Sequence, residues 1–234
     1  MRSKINLHFM KYYFLSLITL LLLSCNNSSD QQQNKHDAVG TVSPEQNIRH
    51  IIYLHGRIVE LQGKAAFSEE HGKYELDSIL VALKNGNAQV YCELRPENTE
   101  VTPYAQKVSR MIDSMIRTGI VPKDISVIGA SKGALIAATT SNINAQPINY
   151  ILMGGNNTTI EQENDWRFHG RILCIYDPSD TIAGKNYDHW KARSPEAKAF
   201  EQIKLSEKLG HGFLYHPLPS WTVPAIKWTR NEQL

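Results

Sequence analysis

Gly129-Ala130-Ser131-Lys132-Gly133 is the segment of this chain best suited to chemistry. It continues directly from Ile125-Ser126-Val127-Ile128, a short apolar run that reads as a buried strand. It leads into Ala134-Leu135-Ile136-Ala137-Ala138, which reads as the start of a helix. A serine in that position must sit on a tight turn. Side chains two positions to either side would collide there, and Gly129 and Gly133 remove them. The product is an exposed hydroxyl on strained backbone at a helix N-terminus, where the dipole favours developing negative charge. The same five residues also fit a glycine-rich turn with no chemistry, so the elements around them decide.

After Ile48, short apolar runs alternate with amphipathic segments, the pattern of strand-helix-strand units and a mostly parallel sheet. Strands are predicted at Arg49–Leu54, Gln89–Glu93, Ile125–Ile128, Tyr150–Met153, Ile172–Tyr176 and Glu201–Leu205. Helices are predicted at Tyr74–Lys84 and Tyr104–Thr118, with Gly86 and Gly119 as stop signals, and from Lys132 to about Thr140. Trp221 and Trp228 should anchor a final helix in the core. A length of 234 residues suits one domain of ordinary size, and 41% hydrophobic and 21% charged residues are ordinary for a globular chain.

Three further motifs fall at strand ends. Ile51–Leu54 runs into His55-Gly56-Arg57; Ile172–Tyr176 is followed by Asp177-Pro178-Ser179-Asp180; the last predicted strand is followed by Gly210-His211-Gly212-Phe213. Together with the serine turn, in this order and context, they resemble the α/β-hydrolase family over the stretch from His55 to Phe213. The resemblance implies a three-layer α/β-hydrolase sandwich with Ser131 as nucleophile and His211 as base. It places the acid in the loop after the penultimate strand, where Asp180 fits the usual offset better than Asp177. It also implies an oxyanion hole built from the backbone N–H groups of Arg57 and Lys132, with His55 and Gly56 as structural parts of the same turn. The order Ser, Asp, His along the chain is the one found in these hydrolases. The activity implied is hydrolysis of a small-molecule ester or amide through an acyl-enzyme, with no metal or organic cofactor. The competing reading is a hydrolase fold kept as a non-catalytic binding module.

The sequence also departs from that family. Only one clear strand precedes His55, so the sheet is expected to be trimmed to about six strands. Nothing between Tyr150 and Ile172 is long enough for a large lid, and Asn156–Phe168 forms a small cap at most. The Lys132 side chain either meets an anionic substrate or is solvated on the helix surface.

The N-terminus reads differently from the rest. Arg2, Lys4 and Lys11 precede the apolar run Phe14–Leu23, which is short for a membrane span and has the length of a signal-peptide core. It ends in Leu22-Leu23-Ser24-Cys25, which resembles the lipobox of bacterial lipoproteins and implies cleavage before Cys25 and lipidation of its thiol. The expected organisation is a lipoprotein signal peptide over 1–24, a flexible polar tether over 25–47 and a hydrolase domain over 48–234. The protein would then be lipid-anchored in a bacterial cell envelope, outside the cytoplasm. Met10 precedes a complete signal of its own and is an alternative start. Loss of residues 1–24, which hold three basic and no acidic side chains, takes the formal charge from +2 to −1, which gives no electrostatic reason to bind nucleic acid.

Other patterns carry less. Tyr187-Asp188-His189-Trp190-Lys191 and the glycine turn together resemble short-chain dehydrogenases. However, Leu135 stands where the third glycine belongs and several strands precede the turn, so Tyr187–Lys191 is expected to be a surface loop near the acid. His71, His169, His189 and His216 have no partner at metal-ligand spacing. Cys92 and Cys174 lie in apolar runs and read as free, buried thiols.

Overall fold

A computed structural model describes residues 48–85 and 87–234. The expected signal peptide, tether and lipidated Cys25 lie outside the described residues, as does Gly86. The strands are β1 (Arg49–Leu54), β2 (Phe67–Ser68), β3 (Gly72–Lys73), β4 (Ala88–Tyr91), β5 (Ile125–Ala130), β6 (Asn149–Met153), β7 (Gly170–Tyr176) and β8 (Ala197–Lys204). The helices are α1 (Arg57–Gln62), α2 (Leu76–Lys84), α3 (Val101–Arg117), α4 (Lys132–Ile143), α5 (Thr158–Glu163), α6 (Asp188–Arg193) and α7 (Pro219–Thr229). β2 and β3 pair as a small antiparallel hairpin, and the other six strands form one sheet in the order β4-β1-β5-β6-β7-β8. Every pair in that sheet is parallel. This is the trimmed, mostly parallel sheet of a three-layer sandwich.

Two-residue alternation lets each central strand feed two cores. On one face Ile52, Leu54, Ile125, Val127, Tyr150, Leu152, Ile172 and Cys174 pack with α3 and α4. On the other, Ile51, Tyr53, Ile128, Ile151, Met153, Leu173 and Ile175 pack with α2 and α7. α3 presents Ala105, Val108, Ile112 and Met115, one helical stripe, to the first core. α4 uses Ala134, Ala137 and Ala138, small enough for the helix axis to lie close to the sheet. Trp221 and Trp228 are buried in the second core, and Pro219 opens α7 where its missing N–H costs nothing.

Three local readings change. Cys92, expected as a buried thiol, lies just past the end of β4 and is only partly buried. Tyr187 and Trp190, expected in a surface loop, are buried, because the short α6 and its cap put positions i and i+3 on one inward face. β8 begins four residues before the predicted Glu201, because Ala197–Phe200 pair with Gly170–Ile172 around a register shift at the sheet edge.

The strand order positions the site. The chain steps from β1 outward to β4, returns past β1 to β5, and then moves steadily to β8. The order therefore reverses between β1 and β5, which opens a crevice beyond their C-terminal ends. Leu54 lies opposite Gly129 in that pair, so His55-Gly56-Arg57 and Ala130-Ser131-Lys132 leave the sheet side by side.

Candidate active site

Ser131 is the hinge between β5 and α4, with φ 54° and ψ −120°. A non-glycine residue there stores about 1–3 kcal/mol of strain. Its own N–H is held by the Met153 carbonyl at 2.9 Å, which fixes the turn to β6. The spacing of the flanking glycines has a steric basis. A Cβ on Gly129 would overlap the Gly133 backbone, and one on Gly133 would overlap the Leu54 carbonyl. Gly56 is different: a Cβ there would meet Ser131 Cβ at 3.6 Å, ordinary contact.

The three residues singled out for catalysis converge from three strand ends. Ser131 Oγ lies 2.8 Å from His211 Nε2, and His211 Nδ1 lies 2.7 Å from Asp180 Oδ2. With Nδ1–H donating to the carboxylate, Nε2 is free to accept the serine proton. His211 sits in a 3₁₀ turn, Gly210–Tyr215, beyond β8, and Asp180 in the loop beyond β7. Asp180 Oδ1 accepts from Ile182 N at 2.8 Å and Ala183 N at 3.1 Å. Burial works to raise the Asp180 pKa; the hydrogen bond and charge of His211, with those two amides, outweigh it and hold the carboxyl below its ordinary value.

Asp177 does not reach His211. Its Oδ1 accepts from the N–H and hydroxyl of Ser179, and the Ser179 hydroxyl in turn accepts from Gly210 N at 3.0 Å. It therefore braces the acid loop against the histidine loop. Gly184 closes the same loop, since a Cβ there would overlap the carbonyls of Asp177 and Asp180. Sequence reading passes over Gly184, although a glycine four residues past the acid is a visible turn signal.

Arg57 and Lys132 each occupy the first position of a helix, where the N–H has no acceptor within its own helix. Both residues line a cavity of about 430 Å³ together with Ser131, Asn98, Leu135 and Asn157. A second cavity of about 290 Å³ also reaches Ser131, walled by His211, Tyr74, Leu214 and Tyr215. α5 is the small cap expected after β6, and its Ile160 lines the larger cavity.

The Lys132 side chain matches neither expectation. Its ammonium is bound to Glu60 Oε2 at 2.6 Å, and Glu60 Oε1 takes Arg95 Nε at 2.7 Å. His55 is fully buried; its Nε2 accepts from Arg95 N at 3.1 Å, and Nδ1 lies 2.9 Å from the Gly56 carbonyl. Burial first, and the Arg95 charge second, push its pKa down to about 4. It is a structural imidazole, neutral in the fold.

That shift has a consequence for stability. The unfolded chain binds a proton at His55 near the ordinary 6.5 while the fold refuses it until about 4. Between those values the unfolded state holds more protons, so stability rises with pH and falls on acidification by up to about 1.4 kcal/mol per unit from this group. Urea unfolding at pH steps across this window is expected to show that slope, reduced in His55→Gln. An equal slope in both proteins would remove His55 as its source.

No protein-family model matches the sequence, and no curated protein matches it. Solved structures do. A variant of Arabidopsis thaliana SOBER1 aligns over 78% of this chain and 98% of its own, with TM-score 0.51 and 14% identity. A predicted CIB-like hydrolase from Thermoplasma acidophilum gives 80% and 88%, TM-score 0.51 and 13% identity. The Pyrococcus furiosus esterase Pf2001 gives 80% and 84%, TM-score 0.52 and 13% identity. At such identities the likeness is one of fold: the chain is similar to esterases and hydrolases in architecture, and its sheet, crevice and helix layers are those of the α/β-hydrolase fold.

Proposed function

We propose that the protein is a serine hydrolase acting on small esters or amides through an acyl-enzyme. The observation that carries this reading is the unbroken hydrogen-bonded chain Ser131–His211–Asp180, with two cavities lined by the serine. His211 Nε2 takes the Ser131 proton as Oγ attacks the carbonyl carbon, and Asp180 holds the imidazole tautomer and stabilises the imidazolium. The Arg57 and Lys132 N–H groups receive the tetrahedral oxygen. His211 then gives its proton to the departing alcohol or amine, and water activated by the same nitrogen releases the acid.

The general acid must face the leaving group. The His211-walled cavity, lined by Tyr74, Leu214 and Tyr215, therefore takes an apolar leaving group, and the larger cavity takes the acyl part. The chain's N-terminus adds a location: the Leu22–Cys25 motif supports lipidation of Cys25 and anchorage in a bacterial cell envelope.

Asp180→Asn separates this reading from one in which Asp177 is the acid. It is expected to lower kcat for a p-nitrophenyl ester by about 10⁴-fold, as loss of the tautomer-fixing carboxylate does. Asp177→Asn is expected to lose stability, with a far smaller loss of kcat. The reverse ranking would reassign the acid.

A further inference from the structure

One carboxylate, Glu60, is buried between two cations, Arg95 and Lys132. The Glu60 side chain is 1% exposed, Arg95 0% and Lys132 18%. The two cations leave one unit of positive charge uncompensated within the cluster, and Arg95 Nη1 has no hydrogen-bond partner among the described residues. Such a group adds little net stability over apolar residues of the same size, so packing energy does not account for it.

Its connections point to that role. Glu60 stands on α1 one turn after Arg57, and its carboxylate holds the side chain of Lys132, the first residue of α4. Arg95, from the loop after β4, donates to the same carboxylate and through Nη2 to the His55 carbonyl, while its main-chain N–H binds His55 Nε2. The two helix starts, at Arg57 and Lys132, that line the cavity beside Ser131 are thus tied to one Glu60–Arg95 pair. A hole made from two separate helix starts stays in register only if something fixes one start against the other.

Building on the serine-hydrolase reading, we infer that the Arg95–Glu60–Lys132 cluster sets the geometry of the oxyanion hole and that its net positive charge favours the tetrahedral oxygen. Lys132 then has two functions: its N–H is a donor to the oxygen, and its side chain is a positioning group acting through Glu60. Because the charge develops only in the transition state, the effect belongs in kcat, with KM nearly unchanged.

Lys132→Met is the test variant. It keeps the backbone N–H and the Arg95 bond to Glu60 Oε1, while Glu60 Oε2 loses its Lys132 partner, so some stability is lost alongside. With p-nitrophenyl butyrate as substrate, kcat is expected to fall about tenfold, less than the ~100-fold that loss of a whole donor costs. KM should stay within about twofold and the urea midpoint should fall while the protein remains folded under assay conditions, and Lys132→Arg, which keeps the charge, should restore most of kcat. An unchanged kcat in Lys132→Met overturns the inference, as does a loss that Lys132→Arg fails to restore or one that appears in KM alone. If wild-type protein turns the ester over in that same experiment, the serine-hydrolase reading survives such a failure. If folded wild-type protein neither turns it over nor reacts at Ser131 with a fluorophosphonate, both fall together.

Discussion

His211→Ala is expected to lower ester turnover by about five to six orders of magnitude. Ser131 Oγ lies 2.8 Å from His211 Nε2, the proton acceptor in the proposed mechanism, and a serine hydroxyl that keeps its proton is a poor nucleophile at neutral pH. The residual rate would come from the oxyanion donors and binding alone. The substitution also removes a partner from the buried Asp180 carboxylate, so a stability loss of about 1–3 kcal/mol is expected alongside. The amides of Ile182 and Ala183 still hold that carboxylate, so the fold persists and far-ultraviolet circular dichroism should match wild type. Steady-state kinetics on the folded variant is the check, and a loss below about 100-fold would mean that another group takes the serine proton.

The second large effect is steric. A Cβ on Gly133 would overlap the Leu54 carbonyl and stand 2.9 Å from the His55 oxygen, both rigid backbone at the end of β1. Gly133→Ala must therefore push α4 away from β1, the strand that leads into Gly56 and Arg57, at a cost of about 3 kcal/mol or more. Gly56→Ala provides the contrast. Gly56 has φ −71° and ψ 169°, open to any residue, and its Cβ would make contacts at 3.6 and 3.8 Å. Its stability is expected to stay within about 1 kcal/mol of wild type. Urea denaturation of the two variants, which share one chemical change, compares them directly. Equal midpoints would contradict the packing described for α4.

These cases also show what the sequence makes legible. Ser131 and its glycines are readable because the constraint is local: strand, turn and helix follow one another within a few residues. The central strands are readable because burial on both faces leaves unbroken apolar runs such as Ile172–Tyr176. The Arg95–Glu60 pair is not readable, since its members lie 35 positions apart and meet through the placement of β4 beside β1. Asp177 and Asp180 share one loop, and only the position of His211, brought in from beyond β8, tells them apart. Tyr187 and Trp190 mislead for a related reason. Their neighbours are polar, and their burial comes from contacts with distant chain: Gly155 N–H on the Tyr187 hydroxyl and Asn156 on the Trp190 indole.

The proposed chemistry stands on Ser131 being an activated nucleophile, and reaction with a fluorophosphonate probe measures that without knowledge of the natural substrate. Wild-type protein is expected to take up one label, located to Ser131 by peptide mass spectrometry. Ser131→Ala should take up none, and His211→Ala should react far more slowly. Folded wild-type protein that stays unlabelled, or a label that persists in Ser131→Ala, would contradict that assignment.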